Sequence, residues 1–196
     1  PAPVVTSLEA DASPEERLQP GPAFSAIRNS QFAITNSNDW PMYRHDAART
    51  GATTSDVSPQ AAPRWRVQLH GRLTPPVVAG GRVVVAARDK HSVHAFGGDD
   101  GRKLWQFTAG GPVDSPPSLL GDLVLFGCAD GYAYCLRATD GELVWRFRAA
   151  TVDRRLVAFG QLESPWRVHG SILIQDGVAY LTAGRSSFLD GGIYLY

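Results

Sequence analysis

Histidine and aspartate are the first candidates for metal chemistry in this chain. His91 and His94 stand in the stretch HSVH. On a β-strand, residues three positions apart point to opposite faces of the sheet, so this spacing does not favour a shared metal ion. Asp-Gly pairs could supply carboxylates to calcium, but they are also the dipeptides that tight hairpin turns require, because glycine tolerates a positive φ. We therefore predict no metal site and assign to turns the residues Asp100, Asp130, Asp140, Asp176 and Asp190.

The two cysteines are the candidates for redox or nucleophilic chemistry. Cys128 and Cys135 are seven positions apart. If Asp130 and Gly131 form a two-residue hairpin loop, Cys135 lies diagonal to Cys128, with roughly 7–8 Å between the Cα atoms. That distance is too long for an easy disulfide. We therefore predict two free, largely buried thiols.

An internal repeat indicates which elements position these residues. A shift of 40 residues superposes a tryptophan-bearing strand three times and an Asp-Gly turn twice. The repeated residues are Trp65, Trp105 and Trp145 for the strand, and Asp100, Gly101, Asp140 and Gly141 for the turn. A period of about 40 residues with four short strands is typical of a β-propeller blade. We therefore predict an all-β fold, a β-propeller of four-stranded antiparallel blades, with each tryptophan in the seam between blades.

The repeat also predicts the domain organisation. Blades are expected at residues 74–108 and 113–148, with an altered blade at 163–196. The stretch RWRVQL at 64–69 precedes any inner strand of its own unit, so we predict that it closes the ring as the outermost strand of the last blade. About two and a half blades are visible, and a propeller needs at least four. We therefore expect an incomplete propeller whose missing blades lie outside this sequence.

The third unit departs from the repeat at 148–167, where about 15 residues are added, and at 184–192, where a turn is swollen. Insertions in repeat proteins fall in loops, often on the functional face. Charged and aromatic residues of these segments could converge at the propeller mouth to bind a planar or anionic ligand, or could form an ion-paired loop over the blade edge. The candidates are Arg154, Arg155, Glu163, Trp166, Arg167, Arg185 and Asp190.

Composition and charge exclude several classes of function. The chain carries 19 basic and 19 acidic side chains among 196 residues, so it offers no electrostatic footprint for nucleic acid. Its longest apolar runs are strand-sized, well short of the ~20 residues that span a bilayer, so no transmembrane segment is expected.

Residues 1–38 are rich in proline and lack a sustained period, which predicts a flexible arm or linker. Within them, SPEERL predicts one helical turn capped by Ser13.

Residues 38–196 resemble proteins with pyrroloquinoline-quinone-like (PQQ-like) β-propeller repeats. The stretch NDWPMYRHDAARTGATTSDVSPQAAPRWRVQL at 38–69 is similar to the N-terminal segment of that family, and TDGELVW at 139–145 is similar to its repeat motif. The family includes quinoprotein alcohol dehydrogenases and a lipoprotein of the outer-membrane barrel-assembly machinery. The resemblance implies an exported protein, located in the periplasm, in the cell envelope or outside the cell.

This resemblance is specific for the fold and leaves the function open between enzymes and scaffolds. We expect a non-catalytic binding or scaffold ring, with a protein or small-molecule ligand at the propeller mouth and no cofactor. One alternative is part of a PQQ-dependent dehydrogenase, which would bind PQQ and calcium, and another is a propeller fused to a different catalytic domain. The dehydrogenases carry adjacent cysteines near the quinone, whereas Cys128 and Cys135 are separated here.

Overall fold

The computed structural model describes residues 13–27, 39–158 and 160–196. Besides 3-10 helices at Phe24–Ile27 and Arg88–Lys90, these residues contain one short α-helix and a series of strands. In chain order the elements are α1 (Pro14–Arg17), β1 (Leu18–Pro20), β2 (Val77–Ala79), β3 (Arg82–Ala87), β4 (Ser92–Gly97), β5 (Lys103–Thr108), β6 (Ser118–Leu120), β7 (Leu123–Gly127), β8 (Tyr132–Arg137), β9 (Leu143–Arg148), β10 (Leu156–Ala158), β11 (Gln161–Glu163), β12 (Val168–Gln175), β13 (Val178–Ala183) and β14 (Tyr194–Leu195). The predicted all-β fold is confirmed. No helix within the described ranges is long and apolar enough to cross a membrane.

The strands form antiparallel sheets that correspond to propeller blades. Blade 1 has the order β2-β3-β4-β5, blade 2 has β6-β7-β8-β9 with β1 added outside β9, and blade 3 has β12-β13-β14. Strands β10 and β11 form a separate hairpin between blades 2 and 3. The innermost strands β2, β6 and β12 are neighbours, so the blades radiate from a common axis. The predicted β-propeller fold class is thereby confirmed.

Alternating strand positions fill the seams on both faces of blade 2. Within β7, Val124 and Phe126 belong to the core shared with blade 1. Leu123 and Leu125 belong to the core shared with blade 3. Because successive side chains of a strand point to opposite faces, one apolar strand supplies both seams. Blade 2 is therefore held by burial of apolar surface on each side.

Trp105 lies in the seam between blades 1 and 2. It is on the outermost strand β5 and is only 6% exposed. Its indole Nε1 donates to the carbonyl of Ala138 at 2.8 Å. Its ring covers Gly141, where φ is +75° and an added Cβ would lie 2.7 Å from the ring. The Asp-Gly turn of blade 2 therefore requires glycine both for its backbone conformation and for the close approach of the indole.

Residues 64–69 are predicted to close the ring in a blade that lies outside this sequence, so the structure does not test that pairing. Residues 64–69 pair with no other strand in the part of the chain that is described, so the backbone hydrogen bonds that define a strand are not made. Trp65 nevertheless docks on blade 1 as Trp105 docks on blade 2. Its Nε1 donates to the carbonyl of Gly98 at 2.9 Å, and its ring covers Gly101. The tryptophan contact of the repeat is therefore present without strand pairing.

Part of the predicted flexible arm is an ordered component of blade 2. Ser13 caps α1 in a capping box with Glu16, as SPEERL predicts. Strand β1 then pairs antiparallel with β9 and places Pro20 opposite Trp145. The prediction of a flexible arm is wrong for this part, because composition does not show that an open strand edge is available to accept its hydrogen bonds. Residues 1–12 and 28–38 of the predicted arm lie outside the described residues.

The repeated aspartates occupy turns, where each carboxylate accepts a backbone N–H two residues later. Asp100 accepts from Arg102 at 3.0 Å, and Asp140 accepts from Glu142 at 3.1 Å. This local bond fixes the turn that precedes the outermost strand.

Candidate functional site

The residues added after blade 2 form a β-hairpin. Strands β10 and β11 pair with Val157 opposite Leu162, which places both side chains on one face. These two apolar side chains are 77% and 56% exposed. The insertion is therefore an ordered projection with an uncovered apolar face.

Asp190 ties this insertion to the swollen turn of blade 3. Its carboxylate accepts from Arg154 and from Arg185, the latter at 3.0 Å from Nε. Its backbone carbonyl accepts from Trp166 Nε1 at 2.7 Å. The Arg154 guanidinium also lies 5.3 Å from the centroid of the Trp166 ring, within cation–π range. Four of the predicted site residues thus converge on one point of the turn.

Arg167 links the insertion to blade 2 directly, and to blade 1 through Asp114. It is 9% exposed, and its guanidinium donates to Glu163 at 2.7 Å and to Asp114. Asp114 precedes β6 of blade 2 and also accepts from Arg88, which follows β3 of blade 1. The resulting chain, Arg88–Asp114–Arg167–Glu163, is an ionic cluster that spans all three blades.

Burial shifts the pKa values of two members of this cluster, Glu163 and Arg167. It raises the pKa of the Glu163 carboxyl, and the guanidinium groups of Arg185 and Arg88 oppose that rise. Burial likewise lowers the pKa of the Arg167 guanidinium, with Arg88 adding to the effect. Two buried charges that are bound to each other and hydrogen-bonded fix the relative positions of the segments that carry them.

The structure therefore brings six of the seven predicted site residues together, in two adjoining groups around Asp190 and Arg167. Arg155 is the exception, since its Nε faces Asp153 at 3.5 Å. Each arginine of the set has a carboxylate partner, which is the geometry of the ion-paired loop that the sequence left as an alternative to a ligand site.

Sequence reasoning missed Arg88 and Asp114, which complete the ionic cluster. A shift of 40 places Arg88 on Cys128 and Asp114 on Thr74, so both are charged residues where the other blade has an uncharged one. Such departures from the repeat are the signal that could have identified them.

The prediction of two free, buried thiols is confirmed. Cys128 belongs to the core between blades 1 and 2, and Cys135 belongs to the core between blades 2 and 3, so they lie on opposite faces of the sheet. Burial raises the pKa of both thiols, which keeps them protonated and unreactive near neutral pH.

The register assumed for the cysteine hairpin is wrong by one residue. A two-residue loop at Asp130 and Gly131 would place Cys128 opposite Ala133, whereas Gly127 lies opposite Ala133 in the structure. The loop has three residues rather than two, because the N–H of Gly131 closes a turn on the carbonyl of Cys128 at 3.2 Å. The carboxylate of Asp130 then accepts the N–H of Tyr132 at 3.0 Å.

The two histidine candidates lie at the end of a 3-10 helix and on a buried strand of blade 1. His94 is buried, its Nε2 lies 2.9 Å from the hydroxyl of Ser92, and burial together with Lys103 lowers the pKa of its imidazole. His91 has a φ of +53° and ends the 3-10 helix of blade 1. Among the described residues, no three His, Cys, Asp or Glu side chains are grouped so that they could hold a metal ion.

Comparison with known proteins identifies related sequences and folds. A family model described as outer membrane protein assembly factor BamB matches residues 50–187. The chain is 34% identical to BamB of Nitrosomonas eutropha over 87 residues, which are 44% of this chain and 21% of that protein. It is 30% identical to BamB of Burkholderia pseudomallei over 92 residues, which are 47% of this chain and 24% of that protein. The matched region thus spans less than a quarter of the length of these curated relatives.

A solved structure with a similar fold is the quinohemoprotein alcohol dehydrogenase of Comamonas testosteroni. The TM-score is 0.60, and the alignment covers 83% of this chain and 26% of the dehydrogenase. The sequences are 20% identical, so the likeness concerns the fold.

Proposed function

We propose that this chain, which belongs to the family of PQQ-like β-propeller proteins whose model is described as outer membrane protein assembly factor BamB, is a non-catalytic scaffold that binds a protein partner in the cell envelope. The match to that family model over residues 50–187 is the observation that carries the proposal. The fold alone would allow an enzyme or a scaffold. The choice of a scaffold rests on the family match and on the site arginines, each of which already has a carboxylate partner within the chain.

The partner-binding surface in this proposal is formed by the two segments that depart from the repeat. The β10–β11 hairpin exposes Val157 and Leu162, and the swollen turn exposes Phe188 (93%) and Leu189 (54%). We call these four side chains the apolar patch. Interfaces are enriched in exposed aromatic side chains that become buried on binding, with charged residues at the rim.

The ion pairs of Asp190 support this surface by linking its two segments. Asp190, two residues after Phe188, is bound by Arg154 from the start of the insertion. Loops already fixed in the free protein lose less conformational entropy when a partner binds. In this reading the arginines position the apolar patch and do not themselves bind an anion.

A scaffold of this kind requires no cofactor. We expect that PQQ with calcium leaves the thermal unfolding midpoint of the full-length protein unchanged and supports no dye-coupled oxidation of alcohols. A shifted midpoint together with turnover would favour the dehydrogenase alternative.

Site-specific photocrosslinking in cells tests the binding surface. A photoreactive amino acid is placed at Phe188 or Val157 of the full-length protein, and a matched control places it at Val57, which is 80% exposed outside the insertion. We expect one protein of the outer-membrane assembly machinery to be captured from positions 188 and 157 and not from position 57. Equal capture from all three positions, or none from 188 and 157, would contradict the proposal.

A further inference from the structure

The outer edge of β9 is occupied along its length by a segment that lies more than 120 residues earlier in the sequence. Residues 18–20 pair with residues 145–147 as an antiparallel ladder. Beyond the ladder, Gly21 N–H donates to the carbonyl of Val144 at 2.7 Å, and Ala23 N–H donates to that of Leu143 at 3.0 Å. Residues 17–24, which we call the N-terminal strap, thus add a strand to a blade that is already complete with four.

Arg17 anchors the N-terminal strap, because its guanidinium group contacts two backbone carbonyls, a tyrosine hydroxyl and two aromatic rings. Its Nε donates to the carbonyl of Arg148 and its Nη2 to that of Ala149, both at 2.8 Å. Nη2 also donates to the hydroxyl of Tyr196 at 2.7 Å. The guanidinium lies 4.8 Å from the ring centroid of Tyr196 and 5.2 Å from that of Phe147. A planar fork of donors fits two carbonyls and two rings, which an ammonium group does not.

The middle and the end of the N-terminal strap select for small residues. A Cβ added at Gly21 would lie 2.2 Å from the carbonyl oxygen of Leu143, so only glycine fits there. Ala23 is 1% exposed and belongs to the core between blades 2 and 3. The edge of β9 therefore selects the strand that it binds by side-chain size as well as by backbone hydrogen bonds.

We propose that the outer edge of β9 is a strand-acceptor site for an extended polypeptide that carries arginine four residues before glycine, and that the N-terminal strap is its resident occupant. Strand addition to an open sheet edge is a general mode of peptide recognition, in which the backbone supplies affinity and side-chain pockets supply specificity. A partner's strand with the same pattern gains access by displacing residues 17–24. The site lies on the outer edge of blade 2 and is independent of the apolar patch in the proposed function.

The test measures binding of a fluorescent peptide of residues 13–27 to the full chain. In the Gly21→Val chain the resident strap cannot seat, so the peptide should bind one to one and protect from hydrogen exchange those backbone amides of residues 143–148 that point away from β8. The wild-type chain should bind the peptide at least ~10-fold more weakly, because a covalently attached strap competes at an effective concentration on the order of millimolar. The Arg17→Ala chain serves as a second host, since it removes the anchor without adding bulk.

Two variant peptides test the specificity of the site. The peptide with Arg17→Lys should bind the Gly21→Val chain at least ~10-fold more weakly, because lysine lacks the planar fork. The peptide with Gly21→Val should not bind. Equal binding to the wild-type and variant chains, no binding to either folded variant, or full binding of the Gly21→Val peptide would overturn the proposal. A wild-type dimer that the free peptide dissociates would assign the edge to a second copy of the chain and would also overturn it.

Discussion

Blade 1 and blade 2 share the same outer hairpin after a shift of 40 residues. Ala95 pairs with Trp105 in blade 1, and Cys135 pairs with Trp145 in blade 2. Both hairpins also shift register directly after that pair. The hairpin between the second and third strands differs, since blade 2 has a three-residue loop with a positive-φ glycine where blade 1 has the 3-10 helix of residues 88–90.

The surroundings of the two blades differ more than their strands. Blade 2 is buried in a seam on each face, and the N-terminal strap covers its outer edge. On the second face of blade 1, residues 68–70 and His94 line a cavity of about 330 Å³. The repeat therefore specifies the outer hairpin and its tryptophan contact, whereas the neighbours decide how firmly each blade is held.

The largest difference is expected when the tryptophan of each contact is removed. Trp105→Ala should lower the free energy of unfolding by about 3–5 kcal/mol, because it leaves a cavity in a seam filled from both sides. Trp65→Ala should cost about half as much or less, since Trp65 is only partly buried on the loosely covered face. Chemical denaturation monitored by circular dichroism measures both. Equal losses would show that the two contacts contribute alike.

A smaller difference is expected at the glycines under the two indoles. Gly141→Ala should cost about 2–4 kcal/mol, because a positive φ and a clash with the Trp105 ring combine. Gly101→Ala should cost less, since Trp65 can move away. Gly81→Ala is the matched control: φ is +71° there, with no atom within 4 Å of the added Cβ, so only about 1–2 kcal/mol is expected. A Gly141→Ala loss no larger than that of the control would refute the close approach.

The smallest difference is expected at the turn carboxylates. The Arg137 side chain bonded to Asp140 lowers the pKa of that carboxyl. Stability from Asp140 is therefore present above the unfolded pKa of about 3.9 and lost as pH falls through the folded value. Asp140→Asn should lower the unfolding midpoint slightly at pH 7, and this difference should shrink progressively as the pH falls below about 3.9. In blade 1 the ion pair of Asp100 with Arg102 is longer, 3.8 Å against 2.5 Å, so Asp100→Asn should have less effect at pH 7. A pH-independent difference for Asp140→Asn would contradict the ion pair.

The sequence predicted the blade architecture because its signals are local. Each blade repeats a turn that needs a glycine with positive φ, and a seam contact that needs a tryptophan at a fixed position within the blade. Both residues therefore recur after 40 residues. The departures from that period also located Arg154, Arg167 and Asp190, which lie in the added segments. Arg88 and Asp114 were missed because their partners belong to other blades.

By itself, the sequence determined the fold class and the repeat, since each depends on residue type and on spacing within one unit. It also predicted free thiols at Cys128 and Cys135, although the register assumed for their hairpin was wrong by one residue. Only the tertiary structure decided the strand pairing of residues 18–20 and the joining of three blades through Arg167. These features depend on which strand edges and charges meet across long separations in the chain. Backbone donors pair with whichever edge lies beside them, and that edge is fixed only when the blades assemble.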